Sequence, residues 1–412
     1  MKYFNKTILA VAITAASSQA MAAGFQLNSQ SATGIGRAFA GDAVIADNAS
    51  VLARNPAAMA LFDDKALSVG MTYADVTAEI NDASLSTRNP VTGQPMAVEY
   101  GSLDNAAEGK IIPNAFYIQP INDTFAFGLG AFSNYGTGTD TADLTAGRGL
   151  SPIDLIGKTE VTTVNFNASI SARINEHWSV GAGVDVIYGE GVLTRGDKKV
   201  VDVEADGVGF GGIVGVTYEL NANNRFGLSY RFSPDMKVEG TLKKLQIPGK
   251  PLADHDELTV PMADIAQFAG FHQLTEQFAL SYTAQWTKWS NFTSVDLHGP
   301  DEVLKEYQWK DSWFLSVGGT YTLNDQWTLR AGYAYDQGVV DDIQSISIPD
   351  SDRQWVAIGA TYHLSNKSAV DFGFAHVMGE ETRITEKSLF GELSAVTNTG
   401  ANYFSVQYSY NF

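Results

Sequence analysis

Short turns of one composition recur along most of this chain, and they constrain its fold more than any other feature. They read Ile121-Asn-Asp-Thr-Phe125, Ile174-Asn-Glu-His-Trp178, Leu220-Asn-Ala-Asn-Asn-Arg-Phe226, Leu274-Thr-Glu-Gln-Phe278, Leu323-Asn-Asp-Gln-Trp327 and Leu364-Ser-Asn-Lys-Ser-Ala-Val370. An apolar residue opens each turn, and an aromatic closes five of the six. Successive turns lie roughly 40 to 55 residues apart, room for two strands and one longer loop. Tight turns on one side and long loops on the other describe an up-and-down barrel that crosses a membrane. The recurring aromatic belongs at the membrane interface, where an amphipathic ring is favoured.

Six turns and two chain ends predict an all-β fold of 14 antiparallel strands, with both ends on the short-turn side. The expected strands run from 66–80 to 398–412, with strand 3 at 124–136, strand 6 at 207–220 and strand 10 at 309–323. Alternation is plain in the last of them. Phe404, Val406, Tyr408, Tyr410 and Phe412 face one way, and Tyr403, Ser405, Gln407, Ser409 and Asn411 the other. Beyond the first residues no stretch offers about 18 consecutive apolar residues, so no helical span is available. Lipid has no hydrogen-bonding groups, and a chain without helical spans crosses it only as a closed sheet.

The start of the chain reads as a secretory leader, residues 1–22. Lys2 and Lys6 precede an apolar run from Ile8 to Ala16, and Ala20-Met21-Ala22 is a cleavage site of the A-x-A kind. Cleavage after Ala22 leaves 390 residues and, with both lysines gone, a net charge of −21 against −19 for the whole chain. That acidity argues against a nucleic-acid partner. With no cysteine, a disulfide framework, a thiolate nucleophile and a cysteine metal site are all excluded.

Residues 23–64, between the leader and the first strand, are rich in Ala, Gly, Asn and Ser and sustain no apolar alternation. A barrel of about 14 strands is wide enough for an open lumen. This segment is the available filler, so residues 23–64 are expected to form a plug inside a barrel made by residues 65–412.

Several stretches resemble one family in order along the whole chain. They are Ala23-Gly24-Phe25-Gln26-Leu27-Asn28, the glycine-rich 34–41 (GIGRAFAG), Asn55-Pro56-Ala57, Pro120-Ile121-Asn122-Asp123, Ser133-Asn134-Tyr135-Gly136, and 345–350 (SISIPD) followed by Asp352-Arg353. The chain thereby resembles FadL-type outer-membrane transporters of long-chain fatty acids. The resemblance implies a 14-stranded barrel with an N-terminal hatch, in the outer membrane of a Gram-negative bacterium. It implies a hydrophobic cargo captured in the lumen and released sideways where strand 3 kinks. Membrane lipid and lipopolysaccharide would surround a monomer, with no cofactor and no metal. One departure is visible: the loop after strand 5, roughly 196–206, is much shorter than in the best-known members.

The resemblance places the cargo's carboxylate against Arg195 and Lys310. Strand parity points Arg195 inward, because Val180, Ala182, Val184, Val186 and Tyr188 form the lipid face of strand 5. By the same reasoning Lys310 points inward, because Trp313, Leu315, Val317 and Tyr321 face lipid. The plainer alternative for each is a rim charge paired with an acid such as Glu190 or Asp311. Phe25, near the free end of the plug, is a candidate wedge, and Asn55, Pro56 and Ala57 are candidate gating residues. Ser133, Asn134, Tyr135 and Gly136 would form the exit kink, helped by Gly128 and Gly130, glycines in a strand being weak points in its ladder.

An outer-membrane lipid hydrolase needs a serine and a histidine held together near the outer leaflet. His177 and His363 belong to the short turns, and His255, His272, His298 and His376 are scattered, with no serine motif beside them. An adhesin or phage-receptor barrel leaves a plug unexplained. Within the family, carriers of other hydrophobic compounds such as aromatic hydrocarbons are the nearest alternative. Two inward cations argue for a charged cargo.

Overall fold

The computed structural model describes residues 23–89, 91–145, 151–246 and 250–412; the expected leader lies outside them. The short turns owe their composition to side chains that cap their own backbone. Asn122 accepts from the N–H of Thr124 and Phe125 at 2.9 Å each, and Asn175 and Asn324 do the same for His177 and Trp178, and for Gln326 and Trp327. Thr275 and Ser365 supply hydroxyls in the equivalent places. An Asx-type turn of this kind reverses the chain without help from tertiary contacts.

Fourteen antiparallel strands result. They are β1 (Ala66–Arg88), β2 (Lys110–Pro120), β3 (Phe125–Phe132, resuming as Gly136–Asp140), β4 (Lys158–Arg173) and β5 (Trp178–Arg195). Then come β6 (Val201–Asn221), β7 (Asn224–Phe232, resuming as Asp235–Lys244), β8 (Glu257–Pro261, resuming as Ile265–Gln273) and β9 (Phe278–Thr287). The ring is completed by β10 (Ser312–Thr322), β11 (Trp327–Asp336), β12 (Arg353–His363), β13 (Ser368–Gly379, resuming as Thr382–Ser388) and β14 (Gly391–Asn411). Neighbours in sequence pair around the ring, and β14 closes onto β1 from Ala66↔Asn411 to Ser86↔Glu392. Both ends of the barrel chain therefore lie on the short-turn side, as the even strand count requires.

The alternation is as read from the sequence: Phe404, Val406 and Tyr408 are exposed while Tyr403, Ser405 and Gln407 are buried. Several boundaries differ: β1 runs on to Arg88, β14 starts at Gly391 and β10 starts at Ser312. The link after β5 is a turn of residues 196–200, tied by Val200 N–H to Arg195 O at 3.1 Å, and β6 begins at Val201, not at 207. The outer halves of β7 and β8 are also diverted: β7 still pairs with β6 through residues 239–244, but Asp235–Val238 turn to β8. Together with Ser294–His298 and Glu302–Glu306 they make a small outer sheet, in which Met236 pairs with Val260 and Leu258 with Leu297.

Residues 23–61 are almost wholly buried and meet inward-facing groups on strands all around the ring. Ala49 N–H donates to Ser68 on β1, Asn55 to Val216 O on β6, Gly41 N–H to Thr283 on β9, and Ala32 N–H to Gln407 on β14. The segment has one helical turn, α1 (Ala32–Gly36), and two 3-10 turns, Ala49–Ala53 and Pro56–Leu61. Inward arginines cap these turns. Arg231 donates to Ala53 O and Arg173 to Ala60 O, both at 2.8 Å. Arg37 binds Asp47 at 2.7 Å and Asp42 at 3.3 Å, and Arg330 on β11 reaches Asp47 at 3.3 Å. With Arg54, 3.8 Å from Asp42, the four charges of this otherwise Ala- and Gly-rich stretch thus form ion pairs among themselves and with the wall.

The approach is close enough to demand glycine. A Cβ on Gly359 of β12 would lie 2.8 Å from the Cα of Gly36, and one on Gly181 of β5 would lie 2.4 Å from Ala57 N. Gly359→Val is expected to dislodge α1 while leaving the barrel ladder intact. Purified variant protein should remain heat-modifiable on gels but conduct ions measurably better than wild type in planar bilayers. Unchanged conductance would show that the segment accommodates the added side chain.

Candidate functional site

The wall has a break at β3, and its cause is local. Phe132 pairs with Asn165 on β4, but the next pair is Gly136 with Thr162, so the strand carries one extra residue across Ser133, Asn134 and Tyr135. Such an insertion bends the strand and interrupts the ladder. On the other side, pairing with β2 stops at Ala115↔Ala131, and residues 110–114 of β2 pair with β1 alone. The N-terminal segment takes up the freed groups. Leu27 N–H donates to Asn134 O at 2.7 Å, Gly136 N–H to Phe25 O at 2.8 Å, and the Gln30 amide to Ser133 O at 2.8 Å. Ser133 is held from the other side, its hydroxyl donating to Thr163 O at 2.6 Å.

The expected part played by Gly128 and Gly130 is corrected here. Both lie in the regularly paired half of β3, and Gly128 makes room for Met59 and Leu52 of the N-terminal segment. The interruption itself comes from the inserted residue. Tyr135, which the sequence marked only by motif, extends from the break to the opposite wall. Its hydroxyl donates to Ala263 O and pairs with Ser233 at 3.0 Å, at the interruptions of β8 and β7.

Phe25 is the centre of an aromatic cluster. Its ring lies 4.7 Å from Trp289, 5.2 Å from Phe292, 5.8 Å from Trp309 and 5.9 Å from Tyr135, mostly edge-on. Gly24 precedes it with φ +65°, pressed so closely on Trp289 and Trp309 that a Cβ would meet both at 2.8 Å. Ala23 N–H reaches Asp336 at 3.2 Å and Gly24 N–H reaches Asp350 at 3.3 Å; Asp350 in turn binds Arg353 at 2.6 Å.

Phe25 also lines an apolar cavity between the outer ends of β4–β6 and the small outer sheet. Val161, Leu193, Met236, Leu258, Met262 and Phe292 supply much of its surface, and Thr159 and Tyr307 supply polar groups. Its volume is about 80 Å³. An apolar cavity of about 150 Å³ takes one benzene, so this one is too small for the whole tail of a long-chain acid.

Arg195 stands at this end of the barrel, 3% exposed, as its parity requires. It donates to Thr159 Oγ1 at 2.9 Å, Lys158 O at 2.9 Å and Thr194 O at 2.7 Å. Among the described residues no carboxylate lies within ion-pair distance of it. Lys310 is placed differently. β10 begins only at Ser312, and before it the buried positions are Tyr307 and Trp309, so inward parity does not extend to residue 310. The Lys310 side chain is 44% exposed and faces Asp341 at 3.9 Å, lining a polar hollow with Asp350, Asp352 and Glu380. Its neighbouring acid is not Asp311, which accepts from Ser290 N–H at 2.9 Å. The sequence reading passed over a second cation, Lys305. It is half-buried, ion-paired to Glu386, and within electrostatic reach of Arg195. It lies in a polar loop segment whose strand pairing no periodicity announced.

Asn55, Pro56 and Ala57 form a fully buried hub. Asn55 caps the following 3-10 turn by accepting Ala57 N–H at 3.0 Å, and its amide donates to Ala43 O and Val216 O. The three residues thereby join two parts of the N-terminal segment to β6.

Comparison with known proteins places this architecture. Residues 13–412 match the family model for outer membrane protein transport proteins (OMPP1/FadL/TodX). Outer membrane protein P1 of Haemophilus influenzae is 33% identical over 98% of this chain and 97% of its own length. The long-chain fatty acid transport protein of Escherichia coli O6:H1 is 32% identical over 99% of both chains. In fold, a Pseudomonas aeruginosa FadL homologue superposes with a TM-score of 0.80 at 24% identity, covering 95% of this chain and all of that one. The toluene transporter TodX of Pseudomonas putida superposes at 0.62 and 18% identity, covering 89% of this chain and 94% of that one. The chain belongs to the OMPP1/FadL/TodX family of outer-membrane transport proteins, a family of channels, not enzymes.

Proposed function

We propose that this transporter takes up long-chain fatty acids, with residues 23–64 acting as a hatch in the barrel. Arg195 carries the reading. A buried guanidinium with only neutral acceptors retains an unbalanced charge, and an anion delivered by the cargo satisfies it with strong, charge-assisted hydrogen bonds. The apolar cavity one hydrogen bond away, through Thr159, suits the tail. Lys310, outward and partly paired, serves as a cation along the approach.

The cavity's size makes capture and gating one event. A fatty tail fits only if side chains withdraw, and Phe25, on a lining segment outside the sheet, is a candidate to do so. Its backbone carbonyl holds Gly136, so moving Phe25 releases the kink. The opening between β2 and the bend of β3 then lies free for lateral exit. Toluene transporters share this fold, and an aromatic hydrocarbon is the second reading; a buried cation without a counter-ion favours the acid.

Arg195→Ala should weaken oleate binding by roughly 10- to 100-fold, the loss expected for a hydrogen-bonded charge. Methyl oleate should be affected much less, and Lys310→Ala should cost oleate only a few-fold. Titration of the purified protein with both ligands checks this, and equal losses for acid and ester would remove the carboxylate from the site.

Exit is tested separately. Ser133→Arg and Gly136→Val fill the bend and should leave oleate affinity in detergent near normal while sharply reducing uptake by cells. Normal uptake at normal surface levels would mean that cargo leaves elsewhere.

A further inference from the structure

We propose that the seam between β6 and β7 is a second lateral opening, through which uncharged apolar molecules dissolved in the membrane reach the cavity beside Phe25. The seam lies in another part of the wall from the β3 break and needs no carboxylate on the cargo, so it stands apart from the fatty-acid reading. Pairing of β6 with β7 runs from Asn221↔Asn224 to Gly212↔Phe232 and resumes only at Asp206↔Glu239. Between these rows, residues 207–211 of β6 face residues 233–238 of β7 with no ladder pair, and β7 carries one residue in excess. This is the insertion seen in β3, drawn out over a longer stretch. Both lapses begin beneath one row of partners, Gly136, Thr162, Glu190, Asp206 and Glu239, which crosses five strands in register. The panel of β4, β5 and β6 is therefore unlaced on both edges below the same row.

Apolar packing closes the seam. Gly207, Gly209 and Gly211 alternate with Val208 and Phe210, which are exposed on the lipid face. The glycines let β7 lie against β6 without pairing. A Cβ on Gly209 would run into the Met236 sulfur and stand 2.7 Å from Pro234 Cγ, and one on Gly211 would stand 2.5 Å from Phe232 O. Pro234 has no N–H to leave unpaired there. Met236 seals the seam from within, 1% exposed, and lines the apolar cavity together with Gly189, Val238 and Phe25. A methionine side chain is unbranched and adapts its shape readily, so its withdrawal joins cavity and lipid. The two openings differ in chemistry. The β3 break presents Ser133, Asn134 and the Gln30 amide, groups suited to a polar headgroup. At the seam Met236, Pro234 and the glycines offer no side-chain donor, and Lys237 is turned outward onto Glu257 at 2.9 Å. An uncharged hydrocarbon passes such a lining without leaving a polar group unpaired. Tyr135 links the two, because it stands in the β3 break and its hydroxyl meets Ser233, the first unpaired residue of β7, at 3.0 Å.

The chain has no cysteine, so single substitutions report on the seam directly. In protein reconstituted into lipid nanodiscs, Met236→Cys should react with N-pyrenylmaleimide dissolved in the bilayer at roughly a hundredth of the rate of lipid-facing Phe210→Cys, the open fraction expected when one apolar side chain must withdraw. A charged, water-borne maleimide should leave Met236→Cys unmodified, and filling the β3 break with Ser133→Arg should not slow the pyrene reaction. No reaction with the bilayer-dissolved reagent, equal reaction with the charged one, or loss of reaction in the Ser133→Arg background overturns the proposal. Should Met236→Cys fail to give a heat-modifiable barrel, Val238→Cys, buried on the same edge, decides by the same outcomes. A Cβ at position 209 points at the Met236 sulfur, so a disulfide between Gly209→Cys and Met236→Cys laces the seam. The oxidised form should lose most of its exchange of radiolabelled hexadecane with the bilayer and regain it on reduction, while oleate binding stays unchanged. Equal hexadecane exchange before and after reduction overturns the proposal and leaves the fatty-acid reading untouched.

Discussion

The requirement that every backbone group in contact with lipid be paired governs this molecule. The sheet meets it by closing, from β1 to β14 and back. At the break in β3 it does not, where an inserted residue leaves Asn134 O and Gly136 N–H without strand partners in the ladder. Those partners come from Phe25 and Leu27. The N-terminal end of the chain in effect completes the wall at this place. A defect that would be costly on a bare lipid-facing strand becomes tolerable where a second segment covers it from within.

The N-terminal segment is held in two different ways along its length. Residues from Ala32 onward are fixed by buried ion pairs, capped helical turns and glycine-to-glycine contacts with the strands. Breaking a buried pair by removing one partner leaves a charge in low dielectric and costs several kcal/mol. Residues 23–30 depend on edge hydrogen bonds, the Gln26, Asn28 and Gln30 amides and the packing of one phenylalanine. A boundary between rigid and releasable parts thus falls near Ser31, the N-cap of α1. The bonds that cover the bend in β3 all come from the first eight described residues.

The barrel was legible because its rules are local. Asn122, Asn175 and Asn324 reverse the chain by bonding their own neighbours, and the period of two along a strand needs no knowledge of what lies opposite. Arg195 was legible for the same reason, since parity carries through an unbroken β5. Lys310 was not, because strand order ends at Ser312 and the buried face changes to Tyr307 and Trp309 before it. Lys305 belongs to an outer sheet assembled from distant pieces, Glu386 to the outer part of β13, and Trp289, Phe292 and Trp309 to the links beside that sheet. Their neighbours are set by tertiary pairing, which leaves no periodic trace. The ion pairs of Arg37, Asp42, Asp47 and Arg54 did leave a trace, as isolated charges in a small-residue stretch. Isolated charges bound for burial need partners.

On the proposed reading, magnitudes allow the binding of a long-chain acid to displace residues 23–30. A 16-carbon chain has about 14 methylenes, each contributing roughly 0.8 kcal/mol on leaving water, for an upper bound near ~11 kcal/mol. Opposing this are the two backbone bonds of Phe25 and Leu27, each about 0.5–1.5 kcal/mol net, and the exposure of Phe25, about 1.5–3 kcal/mol. The tail offsets that cost with several kcal/mol remaining. A shorter apolar ligand has less in hand, and below some length it would occupy the cavity without displacing Phe25. If the proposed fatty-acid reading holds, the aromatic cluster around Phe25 would set a minimum cargo size, and Arg195 would determine which end of the cargo points outward.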